Sequence, residues 1–109
     1  MALIIAEGRK FVSCLLFPEF EILEKYKRKV GLQNLSNEEF FASDFIQKRA
    51  QKLIDEVNKN LNHWEKIQKF TIITKPISID GGELTPSMKL RRNFVEEEFK
   101  NIIDGFYQE

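Results

Sequence analysis

Three cations crowd the point where the chain begins its last helix. Lys89, Arg91 and Arg92 follow Leu84-Thr85-Pro86-Ser87-Met88, and beyond them Phe94, Val95, Phe99, Ile102, Ile103 and Phe106 recur at helical spacing. The unpaired N–H groups at a helix N-terminus carry partial positive charge, which disfavours Lys and Arg by roughly 0.3–1 kcal/mol each at exposed sites. Here the acids Glu96, Glu97 and Glu98 come later instead. A local rule broken inside an otherwise consistent element is one mark of a functional site. The chemistry such a cluster could do is to bind phosphate oxygens. Because the dipole effect is small, the same charges also fit a solvated basic turn.

The other candidates for chemistry are weaker. His63 is the single histidine, and with one cysteine in the chain no second His or Cys is available to build a metal site. It reads as structural or solvated. One histidine is also too little to argue a Ser-His-Asp set. Glu96, Glu97 and Glu98 are consecutive, so a helix fans them about 100° apart rather than pairing them for acid–base work, and they read as a solvated face. Trp64 and the ten phenylalanines are more often core than stacking platforms.

The elements that must position Lys89 can be outlined from periodicity. Leu3 to Ala6 and Lys10 to Phe17 read as two strands joined at Glu7-Gly8, where glycine supplies the positive φ of a tight hairpin. The second strand is apolar on both faces and should be largely buried. Pro18 is placed to start a helix with Glu19 and Glu21 at its positive end and Lys27, Arg28 and Lys29 at its negative end before Gly31; Phe20, Leu23, Tyr26 and Val30 form its apolar face. Ser36-Asn37-Glu38-Glu39 matches a capping box opening a short helical turn. Ser43-Asp44 starts a longer helix with Ile46, Ala50, Leu53, Ile54, Val57 and Leu61 as its stripe, ending near Asn62. Phe70 to Thr74 is β-branched and reads as a buried strand, stopped by Lys75-Pro76. Ile77 to Ile79 could add a brief strand before the Asp80-Gly81-Gly82 turn, and the last helix should end near Tyr107. The result is an α+β fold: an N-terminal β-hairpin and a few-stranded sheet packed with about three helices.

Composition sets the outer bounds. The 109 residues, 42% hydrophobic, suffice for one core and one domain, residues 1–109. Seventeen basic and seventeen acidic side chains cancel, so no global field steers the protein to nucleic acid, whose binding rests on many phosphate contacts. Any basic function is local. The lone Cys14 excludes an intramolecular disulfide and a cysteine metal cluster, which makes a reducing, cytoplasmic setting the default expectation. No apolar run approaches the ~18–20 residues that span a bilayer, and Met1-Ala2-Leu3-Ile4-Ile5-Ala6 lacks the features of a signal peptide.

The stretch Asp80-Gly81-Gly82-Glu83-Leu84-Thr85-Pro86-Ser87-Met88-Lys89-Leu90-Arg91-Arg92 resembles the C-terminal lysine motif of AMP-forming acyl-CoA synthetases, in the form used by long-chain fatty acid CoA ligases. The shared pattern is a Gly-rich turn, Glu-Leu-Thr-Pro, two variable residues, Lys, an aliphatic residue and a basic pair. Ile5-Ala6-Glu7-Gly8-Arg9-Lys10-Phe11-Val12 is similar to the hairpin that opens this family's small C-terminal domain. Val57 to Leu61 and Trp64 to Phe70 resemble its long helix and following strand. Nearly the whole chain is covered.

The resemblance implies a mobile α+β lid that works against a larger N-terminal adenylation domain. That domain would hold the ATP and fatty acid pockets and any Mg2+, and it and the hinge lie outside these residues. ATP and coenzyme A are then co-substrates, none is bound by this domain alone, and the isolated chain is expected to be inactive. Lys89 is the residue that would contact the fatty acid carboxylate and the ATP α-phosphate. Gly81, Gly82, Thr85 and Pro86 would support it, the glycines as a pivot and Pro86 as a stiff arm. Lys59 lies where some relatives place a basic residue near the coenzyme A phosphates. The resemblance also implies a turn at Thr85 to Met88, an extended Lys89 and a helix from about Arg91, whereas local signals would make Thr85-Pro86 the N-cap and first turn; we expect the former. Peripheral membrane association of the full enzyme is compatible with this reading. The competing readings are the lid of a ligase for another carboxylate and, more distantly, a small phosphate- or nucleic-acid-binding module.

Overall fold

A computed structural model describes residues 1–6 and 8–108. Glu7, half of the expected hairpin turn, lies outside the described residues. The sheet has three strands in the order β1 (Ala2–Ile5), β2 (Val12–Leu16), β3 (Ile67–Ile72). β1 pairs antiparallel with β2, Ala2 opposite Leu16 and Ile5 opposite Ser13; β2 pairs parallel with β3, from Val12 opposite Ile67 to Leu16 opposite Ile72. Gly8 has the expected positive φ, +71°, but β1 ends at Ile5 and β2 starts only at Val12, so the strands are not joined by the tight turn expected between Ala6 and Lys10.

Helices cover both sheet faces. Leu3, Ile5, Leu15 and Phe17 meet Val95, Phe99, Ile103 and Phe106 of α4 (Arg92–Glu98) and α5 (Lys100–Phe106) on one side. Cys14 and Ile67 meet Ile54 of α3 (Asp44–Asn58) on the other. Alternate residues of β2 thus point into different layers, so the central strand is apolar on both faces and buried, as its pattern predicts. Burial pushes the Cys14 thiol pKa up to about 11. A third cluster, Leu23, Phe40 and Phe41, joins α1 (Leu23–Lys29) to α2 (Asn37–Ala42). Tyr107 clamps the last helix to the hairpin: its hydroxyl lies 2.9 Å from Ser13 Oγ and donates to Phe11 O at 2.9 Å, and its ring centroid is 4.5 Å from that of Phe11.

The capping box at Ser36 and Glu39 forms as expected, and Ser43 caps α3. Several boundaries differ from the sequence expectation. There are five α-helices among the described residues rather than about three, partly because the last helix is interrupted at Phe99 (φ −104°, ψ 22°). Val95, Phe99, Ile103 and Phe106 stay buried across the interruption, but Phe94 and Ile102 of the expected stripe are exposed. Pro18 does not start α1: Phe17 N–H still donates to Met1 O at 2.8 Å, so the chain turns off the sheet in extended form before a 3₁₀ turn at Phe20–Ile22. α3 ends at Asn58, not near Asn62, because the Asn58 amide exchanges two hydrogen bonds with the backbone of Ile67, at 2.8 and 3.0 Å. That tie also starts β3 three residues before Phe70. Leu53 of the expected α3 stripe is 64% exposed and Val57 is exposed too, since the three-stranded sheet covers only the Ala50–Ile54 side. Trp64 is 76% exposed rather than core. Ile77 to Ile79 forms no strand; the Ser78 backbone serves the site described next.

Candidate functional site

Residues 78–91 fold into a short hairpin that ends on Lys89. A turn from Ile79 to Gly82 leads in, with Gly82 N–H donating to Ile79 O at 3.1 Å and Gly82 at φ +94°. The stem closes through Arg91 N–H to Glu83 O at 2.8 Å and Thr85 N–H to Lys89 O at 2.8 Å, with Leu84 bridged to Leu90. The tip is the turn Thr85 to Met88, where Met88 N–H donates to Thr85 O at 2.8 Å. Thr85 Oγ1 accepts the Lys89 N–H at 3.1 Å and lies 3.0 Å from Ser87 Oγ. Thr85 therefore holds both sides of its own turn. Met88 takes φ +65°, uncommon for a side-chain-bearing residue and costing about 1–2 kcal/mol against the right-handed alternative. The surrounding bonds over-determine it.

This geometry decides between the two expected starts of the last helix. Pro86 lies in the turn, Lys89 is exposed and non-helical, and α4 begins at Arg92 with Arg91 as its N-cap. The basic trio then separates. The Arg92 guanidinium donates to Ile4 O of β1 and lies 3.6 Å from Glu96, and that of Arg91 sits 5.8 Å from the centroid of the Phe94 ring. Among the described residues, Lys89 alone of the three has no side-chain partner.

The glycines are fitted parts. A Cβ on Gly82 would come within 2.7 Å of Phe94 Cζ, and one on Gly81 within 2.5 Å of Glu83 Oε1, so neither side chain can be added without displacing a packed neighbour. The expected pivot is thus a close-packed turn in this conformation.

Glu83 is the residue whose part was not legible in the motif. It is 1% exposed, yet charged chemistry surrounds it: Oε1 accepts the Ser78 N–H at 3.0 Å, and Oε2 lies 3.4 Å from Lys75 Nζ, which also pairs with Glu98 of α4. Burial works against ionisation, but the Ser78 N–H that it accepts and the Lys75 charge hold the Glu83 carboxyl below the usual carboxylate range. The two carboxylates, led by the hydrogen bond to Glu98, push the Lys75 ammonium up. Glu98 is therefore no bystander on a solvated face. Gly81 N–H and Ser78 Oγ, 2.8 Å apart, complete the seat.

Lys59 is not part of this assembly. It is the C-cap of α3, exposed, and paired with Glu56 at 3.0 Å. His63 lies in an exposed 3₁₀ turn. Among the described residues no three His, Cys, Asp or Glu side chains converge on a metal position, and no helix is long and apolar enough to cross a membrane.

The chain belongs to the family described as AMP-binding enzyme C-terminal domain, whose model matches residues 1–109. It is 33% identical to the long-chain-fatty-acid–CoA ligase ACSBG1 of Bos taurus over 99% of its own length, and 36% identical to ACSBG2 of Gallus gallus over 76%. The chain spans 17% and 11% of those relatives. In solved structures the fold recurs in the A-PCP didomain of a carboxylic acid reductase from Segniliparus rugosus in complex with AMP (TM-score 0.67, 17% identity, 98% of this chain and 13% of that one). It recurs also in the adenylation domain of a carboxylate reductase from Mycobacterium chelonae (TM-score 0.59, 20% identity, 97% and 15%).

Proposed function

We propose that these residues form the lid of a long-chain fatty acid CoA ligase and that Lys89 serves its first half-reaction, the formation of acyl-AMP. The observation that carries this reading is the presentation of Lys89: exposed at the end of a doubly tied hairpin, with no anionic partner among the described residues. In that step a carboxylate oxygen attacks the α-phosphorus of ATP, a P–O bond to pyrophosphate breaks, and two anions must approach. A compact ammonium on a flexible stem can lower that repulsion and follow the charge as it moves, without transferring a proton. Any Mg2+ would be held by the adenylation domain, and the Lys89 contribution does not pass through it.

The partner is the N-terminal adenylation domain, which holds ATP and the acid. After acyl-AMP forms, the lid turns, Lys89 withdraws, and another face helps shape the path by which the coenzyme A thiol attacks the acyl carbonyl and AMP leaves. Thr85 and Pro86 hold the lysine turn, and Gly81 and Gly82 seat its stem. Lys59 is the weaker part: to meet a coenzyme A phosphate it would leave its exposed pair with Glu56, which costs little. Lys89→Ala in the intact enzyme tests the central claim. Acyl-AMP formation should fall about 10²–10³-fold, the usual cost of losing one electrostatic donor to a charged transition state, while thioester release from preformed acyl-AMP persists. Equal loss in both steps, or none, rejects the role.

A further inference from the structure

We infer that Glu83 is a positioning residue for the Lys89 chemistry, its buried carboxylate anchoring the stem of the hairpin so that the lysine points in one direction; the inference rests on the adenylation role proposed above. The tip is rigid by its own bonds, at Thr85, Met88 and Lys89. Angular play can therefore enter only at the stem, where Glu83 O accepts the Arg91 N–H and the Glu83 carboxylate is gripped from outside the hairpin. Ser78 N–H holds one oxygen, and Lys75 holds the other while it also holds Glu98 on α4. The carboxylate thus joins the incoming loop, the hairpin and the last helix at one point. A buried carboxylate is a poor source of stability, because its desolvation offsets the attraction of its partner. Here two positions are given over to it, since Gly81 leaves no room for a Cβ beside Glu83 Oε1. Direction matters at the far end: misplacing a reacting group by about 1 Å can cost on the order of 10²-fold in rate.

The test uses the intact enzyme and measures acyl-AMP formation and thioester release from preformed acyl-AMP separately. Glu83→Gln keeps an acceptor for Ser78 but loses the attraction to Lys75. Lys75→Met loosens the same anchor from an exposed side chain and keeps the test open where the buried variant fails to fold. Each should lower kcat for acyl-AMP formation by about 5- to 50-fold, with KM for ATP and acid changed less than about 3-fold, as expected when alignment rather than binding is lost. Thioester release should stay within about 2-fold. An equal fall in both steps would mean a merely structural part, and unchanged adenylation in the folded variants would mean none; either overturns the inference. Lys89→Ala run alongside separates the levels. If it cripples adenylation while these variants do not, only the anchoring role fails; if it leaves adenylation intact, both readings fall.

Discussion

α2 begins on Ser36, whose hydroxyl accepts the Glu39 N–H at 3.1 Å while the Glu39 carboxylate accepts the Ser36 N–H at 3.0 Å; α4 begins on Arg91, whose side chain caps nothing, with Arg92 in the first turn. The first start is complete within four residues, and the carboxyl of Glu39 is held below its ordinary range, first by the backbone N–H it accepts. The second is set from elsewhere in the molecule. Its N-cap N–H goes back to Glu83, its first guanidinium goes to β1, and Phe94 in its first turn fills the space above Gly82. A self-capped helix specifies only itself. A helix whose start is fixed by a hairpin specifies the hairpin as well, so α4 and the direction of Lys89 are one mechanical unit.

The largest effect is expected at Gly82. Gly82→Ala forces a side chain into φ +94° and onto the Phe94 ring. Left-handed backbone costs about 1–2 kcal/mol and overpacking about 1–3, so denaturant unfolding should show a loss of about 3 kcal/mol. A loss below about 0.5 kcal/mol, the scale of an ordinary surface change, would mean that the turn and α4 are not coupled. Ser36→Ala should cost less, about 1 kcal/mol, the usual value of an N-cap oxygen, and should leave acyl-AMP formation in the intact enzyme unchanged. If it impaired adenylation selectively, the separation between a self-contained start and a site-bearing one would collapse.

Much of this contrast was legible in the sequence because it is local. The Ser36 box, the positive φ of Gly8 and the double-faced burial of β2 all follow from residues a few positions apart. The break of the charge rule at Lys89, Arg91 and Arg92 was legible as well, but not its division of labour, because Ile4 is 88 residues from Arg92. Glu83 was hidden for the same reason. An acid after two glycines reads as surface, and its partner Lys75 comes from a loop eight residues back, beyond a proline. Leu53 and Val57 are exposed although they fall on the α3 stripe, since periodicity gives a helix an apolar face without saying how wide a sheet will cover it. Asn58 ended that helix by a side-chain bond to Ile67 that spacing does not encode.

The smallest expected effect is at Arg92, where opposing contributions nearly cancel. Arg92→Gln removes a cation from the positive end of α4, a gain of roughly 0.3–1 kcal/mol. It loses the i,i+4 pair with Glu96, worth about 0.3–0.5 kcal/mol at an exposed site, and weakens the hydrogen bond to Ile4 O. Stability should drop by less than about 1 kcal/mol, since that one hydrogen bond is the contribution left unopposed. Acyl-AMP formation should change by less than about 3-fold, because a side chain committed to β1 and Glu96 is a brace and contributes no charge to the reacting anions. The measurement belongs beside Lys89→Ala in the same half-reaction assays. Were Arg92→Gln to approach the Lys89→Ala loss in adenylation while thioester release stayed intact, Arg92 would be a second cation of the anion site, and the start of α4 would have to be read as part of the chemistry rather than as its mount.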